Sequence, residues 1–114
     1  MAAPTGTPIF ATADGTVDMA QWFGGYGNFI KLEHGGDMET RYGHLSKLNV
    51  RPGQEVKKGD LIGFVGSTGR STGPHLHYEV RIAGEAVDPT PYLHADSFGE
   101  AFASSDSSAA GGPE

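Results

Sequence analysis

Cysteine is absent from the 114 residues, which excludes a disulfide scaffold and any Cys-ligated zinc site. No apolar run approaches membrane-spanning length. The opening residues, Met1-Ala2-Ala3-Pro4-Thr5-Gly6-Thr7-Pro8, are not a signal peptide, having neither a basic start nor an apolar centre. Basic charge is scarce, with 8 Lys+Arg against 14 Asp+Glu. There is no basic stripe, so nucleic acid is not an expected partner. The net charge of −6 is also uneven. Residues 1–93 hold ten acidic and eight basic side chains, and Asp96, Glu100, Asp106 and Glu114 carry the remainder. The folded part is therefore close to neutral.

What the chain has in quantity is glycine, 18 residues without a Gly-X-Y period. Short strands joined by tight turns produce that composition, and helices do not. The length allows one domain, and 37% hydrophobic residues allow a modest core. Pro8–Ala13, Thr16–Trp22, Asn28–His34, Met38–Leu45, Leu61–Val65 and Leu76–Ile82 read as strands, and Ala86–Leu93 closes the domain. Phe29 departs from the alternation of its strand. Asp14-Gly15 reads as a hairpin turn, and Arg51–Gln54 and Lys57–Asp60 as two further turns. The fold class is all-β, a small antiparallel sheet or sandwich over residues 1–93. Residues 94–114 form a polar tail, with a short helical turn over Asp96–Phe102 and disorder from Ser104 onward.

The chemistry concentrates in one stretch. Gly66-Ser67-Thr68-Gly69-Arg70-Ser71-Thr72-Gly73-Pro74 leads into His75-Leu76-His77-Tyr78-Glu79-Val80. Alternation along a strand points His75 and His77 the same way. Two imidazoles beside a flexible loop make a metal or acid/base site. His44, in Tyr42-Gly43-His44-Leu45, becomes a third candidate beside that pair. His34 reads as a strand-end residue at the site rim, and His94 as solvated. Asp14 and Asp88 are accounted for as turn residues. Trp22, Phe23 and Tyr26 are core packing by default and a substrate wall in the sharper reading.

Six segments together carry a family resemblance: Ala13–Val17, Gly25–Asn28, Thr40–Leu45, Val50–Gly59, Gly66–Gly69 and Gly73–Val80. In order and spacing, over nearly all of residues 4–93, the chain resembles the M23 peptidase domain of lysostaphin/LytM type. The resemblance implies a small antiparallel β-sheet with a groove over it. It also implies a zinc endopeptidase that cuts peptide bonds in bacterial peptidoglycan, hence a place in the cell envelope, periplasmic or extracellular. In that family one Zn2+ is held by the His and Asp of a His-x-x-x-Asp motif and by the second His of His-x-His, which corresponds to His77. His75 and His44 correspond to the residues that flank the attacking water and the transition state.

The departure from the pattern is that no His-x-x-x-Asp occurs in the 114 residues. The family's motif falls just before the segment resembling Ala3–Pro8, where this sequence begins. The expectation is a domain cut short at its start, with Met1 not its natural first residue and with hydrolysis absent or impaired in this chain alone. One rival is a non-catalytic M23-like module that binds the cell wall or regulates amidases, although His44, His75 and His77 are all retained. A second rival is a biotinyl/lipoyl-type carrier, which Val50–Gly63 resembles. It lacks the exposed hairpin-tip Lys that such carriers need.

Overall fold

A computed structural model describes residues 2–92. The expected tail over residues 94–114 lies outside these. The described residues fold as eight strands: β1 (Pro8–Phe10), β2 (Gly15–Trp22), β3 (Asn28–Gly35), β4 (Met38–Leu48), β5 (Glu55–Val56), β6 (Leu61–Val65), β7 (His77–Ile82) and β8 (Glu85–Val87). Two 3₁₀ turns, Gly24–Tyr26 and Thr90–Tyr92, complete the regular structure. All pairings are antiparallel, in the order β1-β6-β4-β3-β2-β5, with β7 on β4 and β8 on β7. The all-β expectation holds.

Alternation sorts the side chains. Ile30 and Leu32 on β3, Thr40 and Tyr42 on β4, and Tyr78 and Val80 on β7 are buried on one face. Ile9, Ala11, Val17, Leu45, Val56, Ile62, Val65 and Leu76 join their hydrophobic members to form the core. The opposite face carries Lys31, Arg41, Glu79 and Arg81, whose register places them on neighbouring strands. Phe29 belongs to this second face and is fully buried there. Tyr26 and Phe23 cover it, with ring centroids 4.6 and 5.1 Å away. Its departure from the apolar period is thus a second small cluster under the 3₁₀ turn.

One sequence expectation is corrected. Asp14-Gly15 does not close a hairpin, because β1 pairs with β6 while β2 pairs with β3 and β5. The Asp14 carboxylate instead accepts the Lys58 amide at 2.8 Å. The turns at 51–60 lean on this crossing segment. Ala11 N donates to Asp60 O at 2.9 Å, and Val17 N donates to Gln54 O at 2.8 Å. The chain therefore passes from one edge of the sheet to the other and does not double back.

Strand β4 changes partner part-way. Met38–Gly43 pair with β7, and Leu45–Leu48 pair with β6. The loop between β6 and β7 spans the resulting fork. It is stitched down by Thr68 Oγ1, which donates to Leu45 O at 2.7 Å and accepts the Asn28 amide at 3.1 Å. Arg70 N donates to Gly25 O at 2.8 Å. Here Gly27 and Gly69 meet backbone to backbone. A Cβ on Gly27, whose φ is +69°, would lie 2.5 Å from Gly69 N.

Gly27→Ala combines left-handed strain with a backbone clash, so it should destabilise the domain by more than about 2 kcal/mol. Gly53→Ala, at φ +89° with open space around it, meets only the strain, about 1–2 kcal/mol. Urea midpoints of the two variants check this. Equal losses would mean that the loop contact does not constrain the fold.

Candidate active site

The fork in β4 places His44. Asn28 pairs with Leu45 and Ile30 with Tyr42, so β4 carries one residue more than β3 between these pairs. The bulge falls at Gly43-His44, and His44 takes φ +63° while fully buried. A bulge of this kind re-aims a side chain, and a non-glycine residue in this region costs roughly 1 kcal/mol or more. His44 Nδ1 donates to Thr68 O at 2.7 Å, which leaves Nε2 as the basic nitrogen of the neutral ring.

His75 precedes β7 and bridges to Gly66, with its amide 3.1 Å from Gly66 O. Its Nδ1 donates to Gly73 O at 2.9 Å, with Ser71 Oγ 3.2 Å away. Its Nε2 is buried and has no hydrogen-bond partner. His77 opens β7 opposite Gly43 and is 4% exposed. Its Nε2 lies 2.8 Å from Glu79 Oε1. The three rings meet: His44 is 4.8 Å from His75 and 5.8 Å from His77, centroid to centroid. The structure thus brings together all three histidines singled out in the sequence.

His34 does not join them. It sits at the far end of β3, about 20 Å along the strand at 3.3 Å per residue. There its Nδ1 donates to Asp14 O at 2.7 Å, and its Nε2 is 2.7 Å from Thr40 Oγ1. Asp88 accepts the Thr90 amide at 3.0 Å, as a turn residue does. Tyr26 is buried and packs edge-on to His77 at 5.6 Å, Phe23 is partly exposed, and Trp22 is 59% exposed.

Sequence reasoning assigned no role to Glu79. Its side chain is fully buried. Oε1 accepts from His77 Nε2 and from Tyr26 OH, each at 2.8 Å, and Oε2 accepts from Arg81 Nε at 2.7 Å. Burial by itself would raise the carboxyl pKa. The hydrogen bonds from His77, Arg81 and Tyr26 outweigh it and hold the group at about 2. Burial, then the neighbouring carboxylate, raises the Tyr26 phenol above its usual range. The signal that would have found Glu79 was present: it stands two residues after His77, on the same strand face.

Three imidazoles and a buried carboxylate thus gather at a fork in an antiparallel sheet. The chain belongs to peptidase family M23, whose model matches residues 1–89. It is 54% identical over 88 residues to the DD-carboxypeptidase/endopeptidase Mpg of Neisseria meningitidis, covering 77% of this chain and 20% of that protein. It is 47% identical over 87 residues to the peptidoglycan DD-endopeptidase ShyA of Vibrio cholerae, covering 76% of this chain and 20% of that one. The chain thus spans about a fifth of the length of these curated relatives. Among solved structures, the catalytic domain of the antimicrobial peptidase lysostaphin from Staphylococcus simulans superposes with a TM-score of 0.76 at 42% identity. That match covers 79% of this chain and 72% of that one. A zinc-containing peptidase from Vibrio cholerae gives 0.74 at 45% identity, over 76% of this chain and 27% of that one.

The depressed pKa of Glu79 fixes a pH dependence. A carboxyl held below its unfolded value stabilises the fold above that value, and loses this as pH falls through the folded value. From pH 4.5 down to about 2 the wild type should lose about 3 kcal/mol from this group. Urea titrations across that window should show the loss, and Glu79→Gln should flatten it. An unchanged acid profile in the variant would assign the lost stability to other carboxylates.

Proposed function

We propose that the domain is the catalytic domain of a zinc endopeptidase acting on peptidoglycan peptides in the bacterial cell envelope, with His77 as a metal ligand and His44 and His75 as the proton-handling pair. The observation that carries this is that the His75 and His77 rings both pack on His44, and that His75 Nε2 is buried and unpartnered. An orphaned buried nitrogen costs about 1–3 kcal/mol, a cost that a site keeps when substrate or solvent later supplies the partner. The M23 membership and the peptidoglycan DD-endopeptidases among the relatives support the substrate class. No helix among the described residues is long and apolar enough to cross a membrane.

The donor chemistry fits zinc at His77, a ring whose second nitrogen is anchored by a carboxylate, as metal-bound imidazoles commonly are. Among the described residues, no group of three or more His, Cys, Asp or Glu side chains is arranged to hold a metal. The remaining ligands implied by the family, a His and an Asp, have no counterpart in these 114 residues. On this reading the 114 residues, which hold only His77 of that set, bind zinc weakly and turn over little by themselves. Zinc, when bound, lowers the pKa of a water molecule and polarises the scissile carbonyl.

The chain's own residues do the rest. The Thr68 and Gly73 carbonyls hold the Nδ1 protons of His44 and His75, so each Nε2 can take a proton and return it to the leaving amine. Once protonated, either ring donates a hydrogen bond to the developing oxyanion. The bulge and the stitched loop keep both rings in place without reorganisation during the reaction.

In a protein that also carries the upstream His-x-x-x-Asp segment, His77→Ala should weaken zinc more than the 10–100-fold typical of residues behind a ligand. His44→Ala and His75→Ala should keep zinc and lose about 10²–10⁴ in turnover of peptidoglycan peptides. Metal analysis beside turnover assays separates the two roles, and the reverse pattern would exchange them. A folded, zinc-loaded protein that cuts no such peptide would favour the non-catalytic wall-binding or amidase-regulating module.

A further inference from the structure

We propose that Glu79 is the positioning residue that sets the protonation of His77, keeping the proton on Nε2 so that Nδ1 is the lone-pair nitrogen available to a metal. The proposal deepens the reading of His77 as a ligand and rests on it.

A carboxylate can only accept, so the 2.8 Å contact from His77 Nε2 to Glu79 Oε1 requires the proton on Nε2. The carboxylate is not free to turn away. Arg81 Nε holds Oε2 at 2.7 Å, and Arg81 is itself tied to Gly84 O through Nη1 at 3.2 Å. Tyr26 OH holds Oε1 at 2.8 Å from the 3₁₀ turn, where its ring packs on Phe29 and Phe23. The sheet fixes the spacing, since His77, Glu79 and Arg81 alternate onto one face of β7 opposite Gly43, Arg41 and Glu39.

The contrast within the site is chemical. His44 and His75 have their protons held on Nδ1 by neutral backbone carbonyls, which leaves Nε2 basic. His77 has a carboxylate partner, and its proton sits on the other nitrogen. A carboxylate behind an imidazole raises the ring's basicity as a ligand and fixes its orientation.

Arg81 makes the identity of residue 79 matter. A Gln there would turn its oxygen toward the Arg81 donor, which brings its NH2 against His77 Nε2. That nitrogen must then accept, the proton moves to Nδ1, and the lone pair is lost to the metal. Removing the Arg81 donor frees the amide to turn its oxygen back to His77.

The test is the imidazole ¹⁵N spectrum of the metal-free 114-residue chain at a pH where the rings are neutral, followed by addition of Zn2+ to millimolar levels. Wild type should show His77 protonated on Nε2, and Zn2+ should move its Nδ1 resonance. Glu79→Gln should show the proton on Nδ1 and no zinc response at His77. Glu79→Gln combined with Arg81→Met should restore the wild-type pattern. A wild-type proton on Nδ1, or a Glu79→Gln variant that keeps it on Nε2, would overturn the proposal. If Glu79→Gln fails to fold, the decision rests on wild type and Arg81→Met, both of which must carry the proton on Nε2. Tautomers as expected, with zinc shifting another ring and leaving His77 unmoved, would leave Glu79's control standing and remove His77 as a ligand.

Discussion

Strand β4 cannot keep one partner along its length, and the rest of the site depends on that constraint. Its outer edge serves β7 up to Gly43 and β6 from Leu45. Two strands cannot occupy the same edge at once, so β6 and β7 must part where they meet. The backbone between them has to be satisfied by a loop. His44 sits at the join, in a bulge whose left-handed φ turns it toward that loop. The loop in turn supplies the carbonyl that holds its proton. A uniform ladder would leave neither a gap for the site nor a reason for His44 to be strained.

The electrostatics follow from the sheet's two faces. The core face is closed by aliphatic residues and by Tyr42 and Tyr78, whose rings lie 5.4 Å apart. The other face holds charge in a nearly dry place. A lone buried carboxylate there would cost several kcal/mol. Glu79 is tolerated because three donors converge on it from three parts of the chain: the site histidine, the neighbouring Arg81 and Tyr26. The same contacts that satisfy the charge also order the imidazole. Stability and positioning therefore share one network, which is why sequence reasoning could not separate them.

Local signals in the sequence resolved a good deal. Alternation in Ile30–Leu32 and Tyr78–Val80 gave the strands and their buried side. The turn chemistry of Arg51–Gln54 and Lys57–Asp60 survives as the rungs that brace the crossing from β1 to β2. The His75/His77 spacing gave the pair. Where reading failed, a long-range choice overrode a local one. Asp14-Gly15 has hairpin chemistry, yet β1 finds β6, and Asp14 is taken by Lys58. His34 has the same local character as His44, but register puts it at the opposite end of the sheet. Phe29 breaks the period because a second layer, the 3₁₀ turn, covers it.

What the sequence determined by itself is the kind of fold, the family, and which residue types carry the chemistry. These are set by side-chain periodicity, turn residues and motif spacing, all local along the chain. Tertiary structure alone decided which of those residues meet. His44 reaches His75 and His77 only through pairings that close over more than thirty residues, and Tyr26 reaches Glu79 across 53. Which nitrogen of each ring keeps its proton was likewise decided by carbonyls and a carboxylate brought in by the fold. A hydrogen bond between distant residues depends on register and on the bulges that shift it, and neither is written in the composition of any one segment.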